Sequence, residues 1–524
     1  MFTIAIQALF WVAFAVVCAL PAIRAALARR LVFRALLVAV CVAASLIGPT
    51  TLGLEYEDAY VHQAAAYLQT AHFASGKFPF YLDVCVAGTV ADCTVQATFG
   101  THLPGYASLL SILQHMVGER RWLANATSIA ATALAVQVCW SLLEEHATDP
   151  AARALAMCLL LAAPGFHLVG GSTFAEPLFA FLVVCHVKAQ LDVAKEGQGR
   201  HGRLGASVLF VASGALMILT KKEGVLVPGV ACVAAAAMFV ARQRSGDRST
   251  GAVVTGAMAA GLVMFAVFGV GILDAAGRHG ADIGRAAFAL ENVPRLLPAL
   301  ASAALSTGDF GILGIAAVAA LPVVVLGRDR VGLRLVAILA GFALLYTSHA
   351  RHRHFAAGGD VDPAEMVRYV HAMAPLAAVV VGIAASRAAG FLRAAGFDRA
   401  VRASVALAAM GLVGWLPVAA VELDTLRSGI ARAEAERRLA AVTVVPVDRR
   451  EGAIFVTPFP AALVSAYGAR TRVVDSASLG YADVRELVLD HARRGGAVGV
   501  DPSLCVGGAP AELDDLCALG WRER

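Results

Sequence analysis

Long apolar stretches separated by short polar loops recur from the start of the chain to about residue 421, and nothing else constrains the fold as strongly. A run of about 17–25 apolar residues is long enough to cross the hydrocarbon layer as a helix. The helix is the natural form there because it satisfies every backbone N–H and C=O internally. About twelve segments read this way: 2–23, 35–54, 122–143, 155–170, 174–191, 204–220, 224–241, 252–273, 307–326, 335–347, 369–386 and 403–421. Charged residues make up 15% of the 524 positions and hydrophobic ones 59%, against roughly 25% charged in an ordinary soluble protein. That composition excludes a soluble globule, a disordered chain and a small disulfide scaffold. The first segment has no basic leader and no small-residue cleavage site, so it is expected to be a helix rather than a signal peptide. A net charge of +5 gives no ground for a nucleic-acid partner.

Basic residues orient the spans. The loops 24–34, 144–154, 188–203, 242–250, 328–334 and 387–402 hold 19 Lys and Arg in 70 residues. The opposite set, 55–121, 170–175, 220–223, 274–305 and 348–368, holds 11 in 130. The first set is therefore expected in the cytoplasm. Both termini and a polar tail from 422 are expected outside. Six cysteines fall inside apolar spans, where Cys acts as a small hydrophobe: Cys18, Cys41, Cys139, Cys158, Cys185 and Cys232. The other four form two close pairs, Cys85/Cys93 and Cys505/Cys517, both on the face assigned outside. Disulfides suit that compartment; zinc is the competing reading, with no His at ligand spacing beside either pair.

Two units follow: a membrane domain over 1–421 and a small soluble domain over 422–524. In the membrane domain the outer loop 55–121 has a helix through about 72, a bend at Gly76–Pro79 and a short apolar helix after Tyr106, suited to the interface rather than to spanning. In a second outer segment, 274–305, Pro294 and Pro298 are expected to interrupt the helices. The tail is expected to be α/β, with strands at 453–457, 471–474 and 497–500 and a helix at 481–494.

The residues suited to chemistry gather on the outer face. Glu57-Asp58 directly follows a span and opens an amphipathic helix. A carboxylate at a cavity mouth there could act as a general base, or simply cap the helix. Glu176 stands at the start of a span, where an acid suits the first turn. Lys221-Lys222-Glu223 occupies the shortest outer loop, against the positive-inside bias. Such a basic pair suits a bound anion; snorkelling lysines are the plainer alternative. Arg351, His352, Arg353, His354, Arg368 and Tyr369 are also outside, and the arginines favour an anion over a metal cation.

Taken in order, these landmarks resemble the GT-C-fold glycosyltransferases that use polyprenol-phosphate sugars. That group includes protein O-mannosyltransferases and the lipid A aminoarabinose transferase. Its pattern is an acidic pair after an early span, an "HPPLY"-like element, an "SEPL"-like turn, an "LTRPEG/LTKG"-like turn and an "RYLLPLLP"-like span start. The counterparts look like Glu57-Asp58, His102-Leu103-Pro104-Gly105-Tyr106, Ala175-Glu176-Pro177-Leu178, Leu219-Thr220-Lys221-Lys222-Glu223-Gly224 and Arg368-Tyr369-Val370-His371-Ala372-Met373-Ala374-Pro375. The resemblance covers roughly residues 35–386. The acidic pair reads Glu-Asp where many relatives read Asp-Glu, one proline stands where two are common, and a helix at 2–23 precedes the usual first span.

The resemblance implies an all-α polytopic membrane fold of about twelve helices with a small C-terminal α/β domain facing the periplasm, in a bacterial inner membrane. It implies a polyprenyl-phosphate-linked sugar donor, a hydroxyl acceptor and inversion at the anomeric carbon. Lys221, Lys222 and Arg368, with Arg351 and Arg353, would hold the donor phosphate. Asp58 or Glu57 would be the base. His102, Glu176, Glu223 and Tyr369 would line the sugar or acceptor pocket. No cofactor is implied; some enzymes of the group use a divalent metal, though no residue set in this sequence calls for one. The rival class is a multi-span transporter or flippase. Such proteins place ionisable residues near the bilayer midplane, whereas charge is almost absent from these span interiors.

Overall fold

The structure, a computed structural model, describes residues 30–46, 104–118, 120, 122–193, 200–227, 290–306, 310, 312–348, 363–399, 453–457, 472–475 and 481–500. The chain divides into two compact units. One comprises 1–49, 127–171 and 175–426; the other comprises 50–126, 172–174 and 427–524.

The described helices are α1 (Arg30–Leu46), α2 (Pro104–Val117), α3 (Trp122–His146), α4 (Pro150–Leu161), α5 (Pro164–Gly170), α6 (Glu176–Val193) and α7 (Arg200–Thr220). They continue as α8 (Val293–Leu305), α9 (Ile312–Leu326), α10 (Arg330–Ser348), α11 (Pro363–Ala394) and α12 (Tyr481–Arg493). Among them α3, α10 and residues 367–394 of α11 are long and apolar enough to cross a membrane. The chain is a multi-pass membrane protein of mostly helical architecture. The segments expected at 2–23, 252–273 and 403–421 lie outside the described residues.

In the first unit α11 packs against α4, α5, α6, α8, α9 and α10. Its inner face is almost wholly apolar, with Ala372, Leu376, Ala378, Val379 and Val380 fully buried. Helices α6 and α7 form an antiparallel pair. Between them the His186 ring stacks on Phe210 at 4.3 Å, and its Nδ1 bonds the Phe210 carbonyl and the Ser213 hydroxyl.

Two sequence expectations need correction. The span expected at 155–170 is not one straight helix: α4 and α5 meet at a 62° bend. Pro164 opens α5; proline has no N–H to continue the α4 ladder and forces the preceding residue out of the helical region. Ala163 is accordingly extended, at φ −80° and ψ 113°. The buried His167 reinforces the corner, its Nε2 2.7 Å from the Leu161 carbonyl and its Nδ1 3.3 Å from the Ser45 hydroxyl. The second correction concerns 293–305, which is one continuous helix, α8, despite its two prolines. Pro294 sits in the first turn, where no N–H is needed. The N–H that Pro298 lacks would have bonded only the carbonyl of that first turn.

The turns before α4 and α10 meet the C-terminal part of α11 at one end of this unit. Asp149 caps α4, its Oδ1 accepting from the N–H groups of Ala151 (2.7 Å) and Ala152 (3.1 Å). Arg393 of α11 bonds its other oxygen, and the Ser386 hydroxyl accepts from the Asp149 N–H at 2.9 Å. Arg387 likewise pairs with Asp329. Burial pushes the Asp149 carboxyl up, but the Ala152 N–H, the Arg393 guanidinium and the Ala151 N–H outweigh it, and the group titrates below its usual range. A depressed folded pKa stabilises above the unfolded value, and that stability is lost as pH falls through the folded one. Asp149→Asn keeps a capping oxygen but loses the charge paired with Arg393, so it is expected to unfold earlier than wild type at pH 7. Thermal midpoints in detergent should show this gap closing as pH is lowered below about 4.

In the second unit α2 has 14 residues, too short to cross a bilayer. It anchors itself through the buried Tyr106, whose hydroxyl donates to the Ala124 carbonyl at 3.1 Å. The strands β1 (Ile454–Thr457), β2 (Arg472–Asp475) and β3 (Val498–Val500) form a parallel sheet in the order β2-β1-β3. Central β1 reads as a continuous apolar run, Ala453-Ile454-Phe455-Val456, because a parallel strand is buried on both faces. Gly495, at φ +82°, ends α12 in the left-handed conformation that glycine adopts without strain. The strand and helix positions agree with the sequence pattern to within one or two residues.

Candidate functional site

Three separate pieces of sequence converge on one carboxyl oxygen. Glu176 is the first residue of α6, where its charge complements the helix dipole. Lys221 follows the last turn of α7 in an extended conformation, φ −146° and ψ 141°, and leads into a 3-10 turn over Lys222–Val225. Arg368 lies in the second turn of α11. The Lys221 Nζ donates to Glu176 Oε1 at 3.0 Å, and the Arg368 Nε donates to the same atom at 3.0 Å. The second Arg368 contact, Nη2 to Oε1, is 2.9 Å.

This cluster is buried. Glu176 is 1% exposed, and the side chains of Lys221 and Arg368 are 14% and 9% exposed. Burying one charge alone is costly, and three together persist only because each bonds an opposite charge. Two cations thus meet one carboxyl oxygen, and a second buried carboxyl, Glu223, follows Lys221 in the next turn.

The turn that delivers Lys221 depends on a glycine. Lys221 N–H bonds the Met217 carbonyl (3.0 Å) and the Gly224 N–H bonds the Lys221 carbonyl (2.9 Å). The turn folds back so closely that a Cβ on Gly224 would lie 2.4 Å from the Met217 oxygen. No larger residue fits there without moving the turn.

Aromatic rings close the arrangement into a loop of contacts. Lys221 Nζ stands 5.3 Å from the Tyr369 ring centre, and Tyr369 lies 4.6 Å from Tyr346. Tyr346 stacks on Phe342 at 5.8 Å, and Phe342 meets Phe179 edge-on at 6.0 Å. Phe179 is one turn along α6 from Glu176. The next inward residue on α11, His371, stacks on Phe166 at 4.9 Å. Among the described residues, these rings around the ion cluster belong to helices α5, α6, α10 and α11.

Of the residues singled out in the sequence, Glu176, Lys221, Glu223, Arg368 and Tyr369 come to this one end of the bundle. Lys222 lies in the same 3-10 turn. Glu57, Asp58, His102, Arg351, Arg353, Cys85, Cys93, Cys505 and Cys517 lie outside the described residues. Cys41, Cys139, Cys158 and Cys185 are free and buried, and none of the described cysteines is in a disulfide. Among the described residues no group of three or more His, Cys, Asp and Glu is placed to hold a metal ion. Sequence reasoning missed Tyr346 altogether: it ends an apolar helix and reads there as one more span residue.

No family model matches the chain, and no curated protein matches it in sequence. Solved structures do. A crystal structure of ArnT from Cupriavidus metallidurans bound to undecaprenyl phosphate superposes with a TM-score of 0.55 at 15% identity, covering 93% of this chain and 95% of that one. The apo form of the same protein gives 0.51 at 16% identity, over 92% and 90%. The archaeal oligosaccharyltransferase AglB from Archaeoglobus fulgidus, in complex with an inhibitory peptide and a dolichol-phosphate, gives 0.56 at 13% identity, covering 90% and 70%. The fold expected from the sequence motifs is the fold found: this chain has the GT-C fold of the polyprenol-phosphate-dependent glycosyltransferases.

Proposed function

We propose that the chain is a membrane glycosyltransferase that moves a sugar from a polyprenyl-phosphate donor to a hydroxyl acceptor at the outer face of a bacterial inner membrane. The observation that carries this reading is the buried Glu176–Lys221–Arg368 cluster at the helix ends of a GT-C fold. Its two cations at one helix end suit a lipid phosphate, and Glu176 acts by holding both in place. Lys222, Arg351 and Arg353 are further phosphate ligands in this reading.

The chemistry follows from charge and proton balance. The acceptor oxygen attacks the anomeric carbon while the bond from that carbon to the phosphate oxygen breaks, inverting the centre. Asp58 or Glu57 takes the acceptor proton. The departing phosphate gains negative charge, and the fixed cations stabilise it without having to reorganise. His102, Glu176, Glu223 and Tyr369 shape the sugar and acceptor pocket.

The experiment is a transfer assay on the purified protein in nanodiscs. Undecaprenyl-phosphate-linked hexose, pentose and aminopentose are supplied in turn with a membrane-lipid extract as acceptor. Release of undecaprenyl phosphate coupled to a glycosylated product supports the reading. Passage of intact lipid-linked sugar across the bilayer, with no product, would replace it with the flippase reading.

A further inference from the structure

Among the described residues, four buried polar atoms beside the ion cluster have no hydrogen-bond partner: both ring nitrogens of His371, stacked on Phe166, and two that face more polar surroundings. The Tyr346 hydroxyl and the Glu223 Oε2 atom make no hydrogen bond, although the residues are only 3% and 6% exposed. Buried polar atoms are normally satisfied, so an unpaired one calls for an explanation. The two are brought to one place: the Tyr346 ring meets Tyr369 at 4.6 Å, Tyr369 lies 5.3 Å from Lys221 Nζ, and Glu223 follows Lys221 in the same turn. We propose that Tyr346 and Glu223 form a small polar pocket that reads a hydroxyl or amino group on the sugar of the donor. This rests on the glycosyltransferase reading above.

The chemistry of the two atoms selects the ligand. A carboxyl oxygen takes a hydrogen from an O–H or N–H, while a phenol can give one or take one. A sugar hydroxyl can donate to Glu223 and accept from Tyr346; an amino group can donate to both. A phosphate finds no donor at Glu223 and is better held by Lys221 and Arg368. The two ends of a sugar phosphate would thus meet different chemistry within one site. The Tyr346 ring is also held in place: Phe342 stacks on it at 5.8 Å and Tyr369 meets it at 4.6 Å. Elsewhere α10 deals with its hydroxyls internally, Thr347 bonding the Ala343 carbonyl at 2.7 Å and Ser348 the Leu345 carbonyl at 3.0 Å. The Tyr346 hydroxyl alone of these three is left for a ligand.

The plainer alternative is that Tyr346 fills space as a phenylalanine would, or that its hydroxyl relaxes onto Glu223 as a structural bond. Tyr346→Phe separates these, because it keeps the ring and removes only the hydroxyl. Native mass spectrometry would compare retention of undecaprenyl phosphate with that of its hexose-, pentose- and aminopentose-linked forms. Thermal midpoints of the lipid-free proteins would be measured alongside.

Wild type is expected to prefer one sugar-linked lipid over the bare phosphate. Tyr346→Phe is expected to lose about tenfold or more of that preference, the loss of one hydrogen bond to a buried partner. It should retain bare undecaprenyl phosphate as wild type does, with a midpoint at or above wild type. Glu223→Gln, which keeps the shape, should also lower the preference and serves if the first variant proves unstable. Unchanged preference in both variants would overturn the pocket while leaving the phosphate site standing. A lowered Tyr346→Phe midpoint with the preference intact would overturn it in favour of a structural bond. No preference by wild type for any sugar-linked form would also overturn it. Failure of wild type to retain even the bare phosphate would remove the glycosyltransferase reading, and the pocket with it.

Discussion

Glu176→Ala is expected to destabilise the folded protein by about 3–5 kcal/mol, because it strands two buried cations on one vanished partner. Lys221 Nζ and Arg368 Nε both bond Glu176 Oε1, and neither side chain is more than 14% exposed. Against a typical total stability of about 5–15 kcal/mol, such a loss is large. Glu176→Gln keeps an acceptor oxygen and should cost less. The strongest control is the triple change Glu176→Leu, Lys221→Met, Arg368→Met. Replacing a whole buried ion cluster by apolar side chains is often neutral, so this variant should recover most of the stability that Glu176→Ala loses. It should nonetheless be inactive, since the phosphate ligands are gone. Thermal unfolding in detergent measures all three. Glu176→Ala within about 1 kcal/mol of wild type would mean that the cluster is solvated rather than buried.

The second large effect concerns the base. Asp58→Asn is expected to lower turnover by about 10²–10⁴-fold, the usual share of a general base. Glu57→Gln shares the effect if the two carboxylates trade the role. The amide variants keep shape and hydrogen-bonding capacity, so retention of the lipid donor should change little while product formation falls. Wild-type turnover in both variants, each folded, would remove the acidic pair from the mechanism.

How far the sequence could reveal this site differs from residue to residue. Glu176, Lys221 and Arg368 each stood out because a charge at the edge of an apolar span needs a reason. Their convergence did not stand out: Glu176 lies 45 positions from Lys221 and 192 from Arg368. No local period connects residues so far apart. The sequence suggested a sugar-pocket role for Glu176 but gave no sign that it also bonds Lys221 and Arg368. Tyr346 was invisible for a different reason. Aromatic residues end many membrane helices, and only its unpaired hydroxyl beside Glu223 sets it apart.

The same contrast holds for the fold. The short parallel strands were legible because continuous β-rich runs such as Ala453–Val456 have few other uses in a polar tail. The bend between α4 and α5 was signalled by Pro164, but the apolar run around it is unbroken and disguised two helices as one span. Pro294 and Pro298 gave the opposite error. A proline's effect depends on its distance from the helix start, and that start was not marked in the sequence.

The most direct measurement is native mass spectrometry of the purified protein with undecaprenyl phosphate, comparing wild type with a Lys221→Ala/Arg368→Ala double variant. The double variant leaves Glu176 as an unpaired acid, so a Lys221→Met/Arg368→Met/Glu176→Gln protein is run beside it to separate lost binding from lost folding. Specific retention by wild type, lost in both folded variants, is the expected result. Equal retention by all three proteins would contradict the phosphate site at Glu176–Lys221–Arg368.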